Sequence, residues 1–383
     1  MKTRTVIALL VVFLPLTARG EISIRIFACT RPVTVVFTPD RGEYLLHCWP
    51  AGDARLVTGE TIAVTLHDGR VIYRSSAGKS GVADSLLFTP ASAGSVFRLR
   101  APGKEEAGKS LDGILKIKSF PGSLQILNVT SEENYLPGVV RAEAGKYGPP
   151  EYFRAQAVVA RTYVHRNVNR HELDGYNLCD DTHCQVYPGL ISELPVIAAC
   201  QSTAGQVLVD RDSMLIVPAF HGNCGGVTAT SADVWLAGYP YLVSVVDPWC
   251  SYSASFNWNK SIPLTDWYSF LRSKGIATGE EKALYSLPGG KPVRKMDRSV
   301  AGRHLTSEEI RGRFGLRSAF FTMTPAGDSI LFKGRGYGHG VGLCQDGARN
   351  MAEKKMTYDK ITGFYYPGTR ITDVKNARSP ARP

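Results

Sequence analysis

Residues 134–187 read NYLPGVVRAEAGKYGPPEYFRAQAVVARTYVHRNVNRHELDGYNLCDDTHCQVY, and this stretch decides the fold class. Leu136, Val139 and Val140 recur at helical spacing, with Glu143 at the end of that turn and Gly145 to stop it. Ala142 and Ala144 flank Glu143, so its chain neighbours are small and apolar. A glutamate desolvated in such a place keeps its proton closer to neutral pH, which suits a general acid. The competing reading is a surface glutamate paired with Arg141 or Lys146. Pro149-Pro150 then opens a second helix, from Glu151 to about Arg170, because proline suits the first helical position. Phe153, Ala157, Ala160, Val164 and Val168 mark one apolar face, and Arg154, Arg161 and His165 lie on another side. Either this is a core helix with a solvated basic face, or it is a buried helix whose Gln156 and Arg161 meet a polar ligand.

The stretch ends in Cys179-Asp180-Asp181-Thr182-His183-Cys184. Two thiolates and an imidazole this close can converge on one Zn²⁺, with His171 as the fourth donor. A Cys179–Cys184 disulfide is the alternative, with His183 as a polar wall residue.

Outward from that centre, the chain before it favours strands. SIRIFA, VTVVFTP, TIAVTL, VIYRSS and GILKIKS are short β-branched runs of period two, separated by turn signals at 39–42 and 67–69. Residues 21–105 are expected to form a β-rich accessory region and 106–370 the main helix-plus-sheet region, with 371–383 as a tail. The fold class is thus α+β, mixed and multi-domain. Residues 1–20 carry Lys2 and Arg4, then an apolar run from Val6 to Leu16, then Ala18-Arg19-Gly20. That is the pattern of a cleavable secretory signal, too short for a comfortable span, and it predicts a periplasmic or secreted protein with no stable membrane span after cleavage.

Beyond the centre, two glycine-rich segments present side chains suited to a polar ligand. His221 and Asn223 sit in HGNCGG, where they can donate to sugar hydroxyls or acetamido carbonyls. Tyr337 and His339 sit in GRGYGHG, which is neither a Walker loop nor a dinucleotide fingerprint. Gln345 follows near the start of a helix expected from about Leu343 to Lys355. Trp235, Tyr239, Tyr241 and Trp249 offer platforms for sugar faces. Strands are expected over 204–209, 215–220 and 329–333, helices over 267–274 and from Thr306, and 282–303 reads as a polar surface loop.

These motifs in this order resemble the stage II sporulation protein D family, which includes the amidase enhancers. The resemblance rests on NYLPGVVRAEAG, AQAVVARTYV and LCDDTHCQVY, then AFHGNCGGVTATSADVW, PYLVSVVDPWC and GRGYGHGVGLCQDGARNMAEKKMTYDKITGFYYPGT, and it covers Leu111 to Thr369. It implies a peptidoglycan lytic transglycosylase cleaving glycan strands between N-acetylmuramic acid and N-acetylglucosamine, with an anhydro-muramic product. It places the catalytic carboxylate on Glu143 and the segment of Tyr337, His339 and Gln345 at the substrate groove, to which Gln156, Arg161, His221 and Asn223 are added as expected substrate-binding residues from their own patterns. It also implies a structural zinc near Cys179, His183 and Cys184, with His171 as the unassigned fourth ligand, and no cofactor required for the chemistry. The alternative within the family is a glycan-binding enhancer of a cell-wall amidase. Asp233 and Asp247 are the rivals for a second carboxylate, which a hydrolase would need.

Composition is consistent with this reading. The chain of 383 residues is 44% hydrophobic and 21% charged, which describes a globular protein. Its net charge of +11 stays positive after Lys2, Arg4 and Arg19 leave with the signal, and it suits acidic envelope polymers. Nucleic acid is excluded as a partner by export and by the lack of a reader motif. The eight cysteines, an even count, permit disulfides, with Cys29–Cys48 and Cys224–Cys250 as candidate pairs.

Overall fold

Strand runs with one apolar residue in two bury one face and so demand a second layer. The computed structural model describes residues 20–49, 52–235, 237–285, 294, 297–300 and 302–379. The chain divides into two compact units, Met1–Tyr135 with His171–Gln185, and Leu136–Arg170 with Val186–Pro383.

Among the described residues the first unit holds two sheets. One runs in the order Leu178–Cys179, Glu21–Arg25, Ser123–Ser131, Ile114–Phe120, Ser85–Pro90, Tyr44–Trp49, Gly52–Leu56. The other runs Glu105–Asp112, Val96–Ala101, Thr34–Arg41, Ile62–His67, Arg70–Ser75, Ser80–Ala83. Phe37 of the second sheet stacks on Phe88 of the first at 4.2 Å and on Phe97 of its own sheet at 4.9 Å, and Tyr44 meets Phe37 edge-on at 5.3 Å. All four are fully buried, so the aromatic cluster is the core between the layers. The turn expected at 67–69 forms with positive φ at both Asp68 and Gly69, the mirror-image geometry that a two-residue hairpin needs. The boundary expected at 105/106 falls elsewhere. Strands 114–120 and 123–131 hydrogen-bond in the middle of the seven-stranded sheet, and Leu178–Cys179 returns to its edge in parallel with Glu21–Arg25.

Eight α-helices follow among the described residues: α1 Glu132–Ala144, α2 Pro150–Asn167, α3 Leu194–Ser202, α4 Ser231–Trp235, α5 Leu264–Ser273, α6 Ser307–Phe314, α7 Gln345–Glu353 and α8 Tyr358–Tyr365. In the second unit α2 is the axis, and α3, α7, α8 and the Gln206–Val209 strand pack on it. Its residues from Tyr152 to Ala160 are buried almost all round, apart from Arg154, whose side chain stays half-exposed. A separate core forms where the sheet Asn257–Pro263, Ser329–Arg335, Phe321–Ala326 packs with α5 and α6 around Trp267, Phe314 and Phe332. Helix α6 begins at Thr306 with a complete capping box to Glu309, as its sequence predicts.

Three local expectations differ. Residues 215–219 form only isolated bridges, because they run between Leu208, Arg378 and Tyr241 rather than along one strand. Within 282–303, the described part includes a strand at Asp297–Val300 paired with Arg303–Thr306. Residues 1–19, where a signal is expected, and residues 380–383 of the expected tail lie outside the described residues. No helix among the described residues is long and apolar enough to cross a membrane.

Candidate functional site

Helix α1 carries Glu143 in its last turn, where the final carbonyls of any helix lack internal partners. Here α7 supplies them. Gln345 Nε2 donates to the Glu143 carbonyl at 3.0 Å, and Arg349 donates to Ala144 O at 2.9 Å and Tyr147 O at 2.8 Å. Gln345 and Arg349 stand four apart, so both side chains leave the same face of α7. The Arg349 guanidinium also lies 4.9 Å over the Tyr152 ring. Further back, Gly138 is pressed against Gly189 O and the Tyr187 ring, where any Cβ would collide. Glycine at 138 is what lets α1 lie this close to segment 187–189.

The Glu143 side chain is half-buried, and burial raises its pKa above the ordinary value, opposed only by the Val186 N–H that donates to the carboxylate. The surface-pair reading fails for Arg141, which pairs with Glu193 at 3.1 Å. Lys146 lies over Tyr147 instead.

The other expected groove residues separate into distinct roles. Arg161 is fully buried, and its guanidinium donates to Thr203 O at 2.6 Å and Cys200 O at 3.1 Å at the end of α3. It therefore holds α2 to α3 and is not presented to a ligand. Gln156 is also buried, and its Nε2 has no hydrogen-bond partner among the described residues. Asn223 is buried too, and its amide is spent on Cys250 O, Asp346 and Gly225 N. Gln345 positions the Glu143 backbone, a role its motif did not announce. His221 donates from Nδ1 to Val341 O at 3.0 Å, and burial drives its pKa well below the ordinary value. His339 accepts from Val341 N–H at 3.0 Å and donates to Phe220 O, and burial pushes it down to about 4. Both rings are thus neutral at pH 7.

Tyr337 remains exposed, and the His339 ring lies 5.2 Å from Trp235. Trp235 and His339 wall an open cleft of about 380 Å³ together with Tyr163, Arg166, Arg170 and Tyr239. Aromatic faces beside two guanidiniums suit a sugar that carries a carboxylate. Asp247 is buried and held by Tyr365 and Trp249 N–H, so it cannot reach a substrate, whereas Asp233 sits exposed on α4.

In the first unit, His171, Cys179, His183 and Cys184 each aim one donor atom into a cluster in which all lie within 4.8 Å of one another. Cys184 Sγ lies 3.5 Å from His171 Nε2 and 3.7 Å from His183 Nδ1, and Cys179 Sγ lies 3.8 Å from His183 Nδ1. Asp174 engages His171 Nδ1 at 3.1 Å, which turns Nε2 toward the sulfur. A hydrogen bond from Cys184, with the His183 ring nearby, pulls Cys179 down to about 5. Asp180 pins the loop by accepting from the N–H groups of Phe27 and Ala28. Two thiols and two imidazoles in this arrangement are a fitting tetrahedral zinc set, and His171 is the donor its spacing left open. Cys179 and Cys184 are not bonded to each other, so the disulfide alternative is not the one this structure adopts.

The other proposed pairs are also not made. Cys29 is exposed and bonds Asp181, while Cys48 is buried near Tyr73. Cys224 and Cys250 have sulfurs 3.4 Å apart but unbonded, in a second four-residue cluster with Asp247 and Cys344. Sequence reasoning missed this cluster and Arg349. Their traces were Cys344 directly before Gln345 and Asp247 three residues before Cys250.

The family model described as Stage II sporulation protein matches residues 121–209, which span Glu143 and the His171–Cys184 cluster. Stage II sporulation protein D of Bacillus subtilis (strain 168) is 30% identical over 287 residues, covering 68% of this chain and 82% of that protein. The chain belongs to the stage II sporulation protein D family. Other relatives extend the match. Stage II sporulation protein D of Bacillus amyloliquefaciens is 29% identical over 261 residues, 63% of this chain and 74% of that protein. The amidase enhancer of Bacillus subtilis is 27% identical over 289 residues, 62% of this chain and 40% of that protein. As a stage II sporulation protein D family member, the chain thus shares its matched region with relatives of two different names.

Proposed function

We propose that this protein is an exported lytic transglycosylase that cleaves peptidoglycan glycan strands between N-acetylmuramic acid and N-acetylglucosamine. The observation that carries the reading is Glu143. It is a half-buried carboxyl with a raised pKa, oriented by Val186 N–H, on a helix end that Gln345 and Arg349 hold from α7. Protonated Glu143 gives its proton to the glycosidic oxygen as the C1–O bond breaks. The resulting carboxylate takes the proton of the muramic acid 6-hydroxyl as that oxygen bonds C1, which closes the anhydro ring and returns Glu143 to its acid form. One carboxyl serves both steps and no water enters. This agrees with Asp247 being buried away from any substrate. The Trp235–His339 cleft, with Arg166 and Arg170, is the proposed glycan-binding wall.

Export follows from the basic-then-apolar pattern of residues 1–20. A structural zinc on His171, Cys179, His183 and Cys184 would fix the loop whose chain continues into Val186, and no chemical step needs it. The experiment is Glu143→Gln in the purified mature protein. Release of anhydro-muropeptides is expected to fall by about 10²–10⁴ with the fold unchanged. A folded Glu143→Gln protein that works at the wild-type rate sinks the assignment. The amidase enhancer relative favours a second reading, in which the protein binds glycan and stimulates a cell-wall amidase without cutting. That reading predicts no change in peptidoglycan until the amidase is added.

A further inference from the structure

Cys224, Asp247, Cys250 and Cys344 come from three separate segments of the second unit and meet with their donor atoms all within 4.8 Å. None is more than 1% exposed. Cys224 Sγ stands 3.4 Å from Cys250 Sγ and 3.1 Å from Asp247 Oδ2. Two sulfurs bound to one tetrahedral zinc at about 2.3 Å stand roughly 3.8 Å apart, so these side chains already lie near the edges of such a tetrahedron.

The surroundings are those of a ligand set. Tyr365 OH donates to Asp247 Oδ2 at 3.0 Å and Trp249 N–H donates to Oδ1 at 2.8 Å, which fixes the carboxylate. Cys344 Sγ accepts from the N–H groups of Cys224 at 3.3 Å and Gly347 at 3.4 Å, as a thiolate at a helix N-cap would. The Arg294 guanidinium donates to the carbonyls of Cys224 and Val227, not to the Asp247 carboxylate. A Cβ at Gly347 would run into the Tyr365 hydroxyl and the Asp247 carboxylate, so the site is closed on that side. A Cys224–Cys250 disulfide would use two of the four groups and leave the convergence of Cys344 and Asp247 unexplained.

We infer that Cys224, Cys250, Cys344 and Asp247 form a second structural metal site for a thiolate-preferring divalent cation, zinc first among them. Three sulfurs and one oxygen select zinc over magnesium or calcium. The three thiols release their protons to solvent as the ion binds, and four protein donors leave no open position for a substrate. The ion ties the 221–226 loop and the 247–250 segment to the start of α7. The next residue, Gln345, holds the Glu143 carbonyl, so the site steadies the end of α1 from behind.

The test is metal analysis of the full mature protein, purified without chelator, beside Cys344→Ala and a His171→Ala/Cys184→Ala double variant that dismantles the other cluster. The double variant is expected to retain zinc, and its cobalt(II)-substituted form to show a strong thiolate-to-metal charge-transfer band. Cys344→Ala is expected to lose one equivalent relative to wild type. Should Cys344→Ala misfold, alkylation of the wild type decides the matter. Cys224, Cys250 and Cys344 are expected to resist labelling until a chelator is added, then to label fully without reductant. A disulfide-linked Cys224–Cys250 peptide from the native protein, or a double variant free of metal with its fold intact, overturns the site. These readouts are independent of glycan cleavage.

Discussion

At Glu143, burial is the dominant cause of the raised pKa, and the sign of its effect follows. A carboxyl whose folded pKa lies above its unfolded value adds stability that is fully present below the unfolded value. That contribution is lost as pH rises through the folded one. At pH 7 the ionised side chain is therefore a burden, and Glu143→Gln is expected to melt no lower than wild type by calorimetry. Activity moves the same way. The acid form donates the proton, so kcat/KM should fall with rising pH through a value above the ordinary carboxyl pKa, and a limb at the ordinary value would contradict the burial. The residue itself was legible in the sequence, because its small neighbours and helical register are local features. Its environment was not, since Val186 and Gln345 are brought to it only by folding.

The element that matters most is the end of α1, braced by one face of α7. Arg349→Ala leaves the carbonyls of Ala144 and Tyr147 without this donor and is expected to cost roughly 1–3 kcal/mol in denaturant unfolding. Gln345→Ala should lower kcat about tenfold with KM nearly unchanged, because it shifts the acid without touching a ligand. A KM effect alone would instead make Gln345 a substrate contact. Helix α2 teaches a related lesson. Its period of apolar residues was visible, but Arg161 read as a ligand-facing cation when it is the buried cap of α3. Arg161→Met is expected to destabilise by roughly 3 kcal/mol, since the carbonyls of Cys200, Thr203 and Gln206 lose a charged donor. Sequence patterning marks which positions are buried and is silent on which distant carbonyl a buried arginine will satisfy. The glycine segments mislead in the same way, for Asn223 and His221 turn inward onto backbone groups.

On the scale of the whole molecule, the class, mixed α+β, was readable from alternating strands followed by helical spacing. The division was not, because strand 123–131 pairs back with Glu21–Arg25 and Leu178–Cys179 returns from far along the chain. The 257–335 core was also illegible in advance, its aromatic residues being scattered through a stretch without a strong period. The β sandwich rests on the stacked ring of Phe37, and Phe37→Ala is expected to cost about 3–5 kcal/mol in a thermal or denaturant melt. With Glu143 serving both proton transfers, this molecule is proposed to cut glycan by itself and without water. The measurement that tests this proposal most directly is mass spectrometry of the products formed when the purified mature protein meets peptidoglycan, both intact and stripped of its peptides. The expected products carry 1,6-anhydro-muramic ends and are absent with Glu143→Gln. Reducing ends, or no cleavage of either substrate, would contradict the proposal.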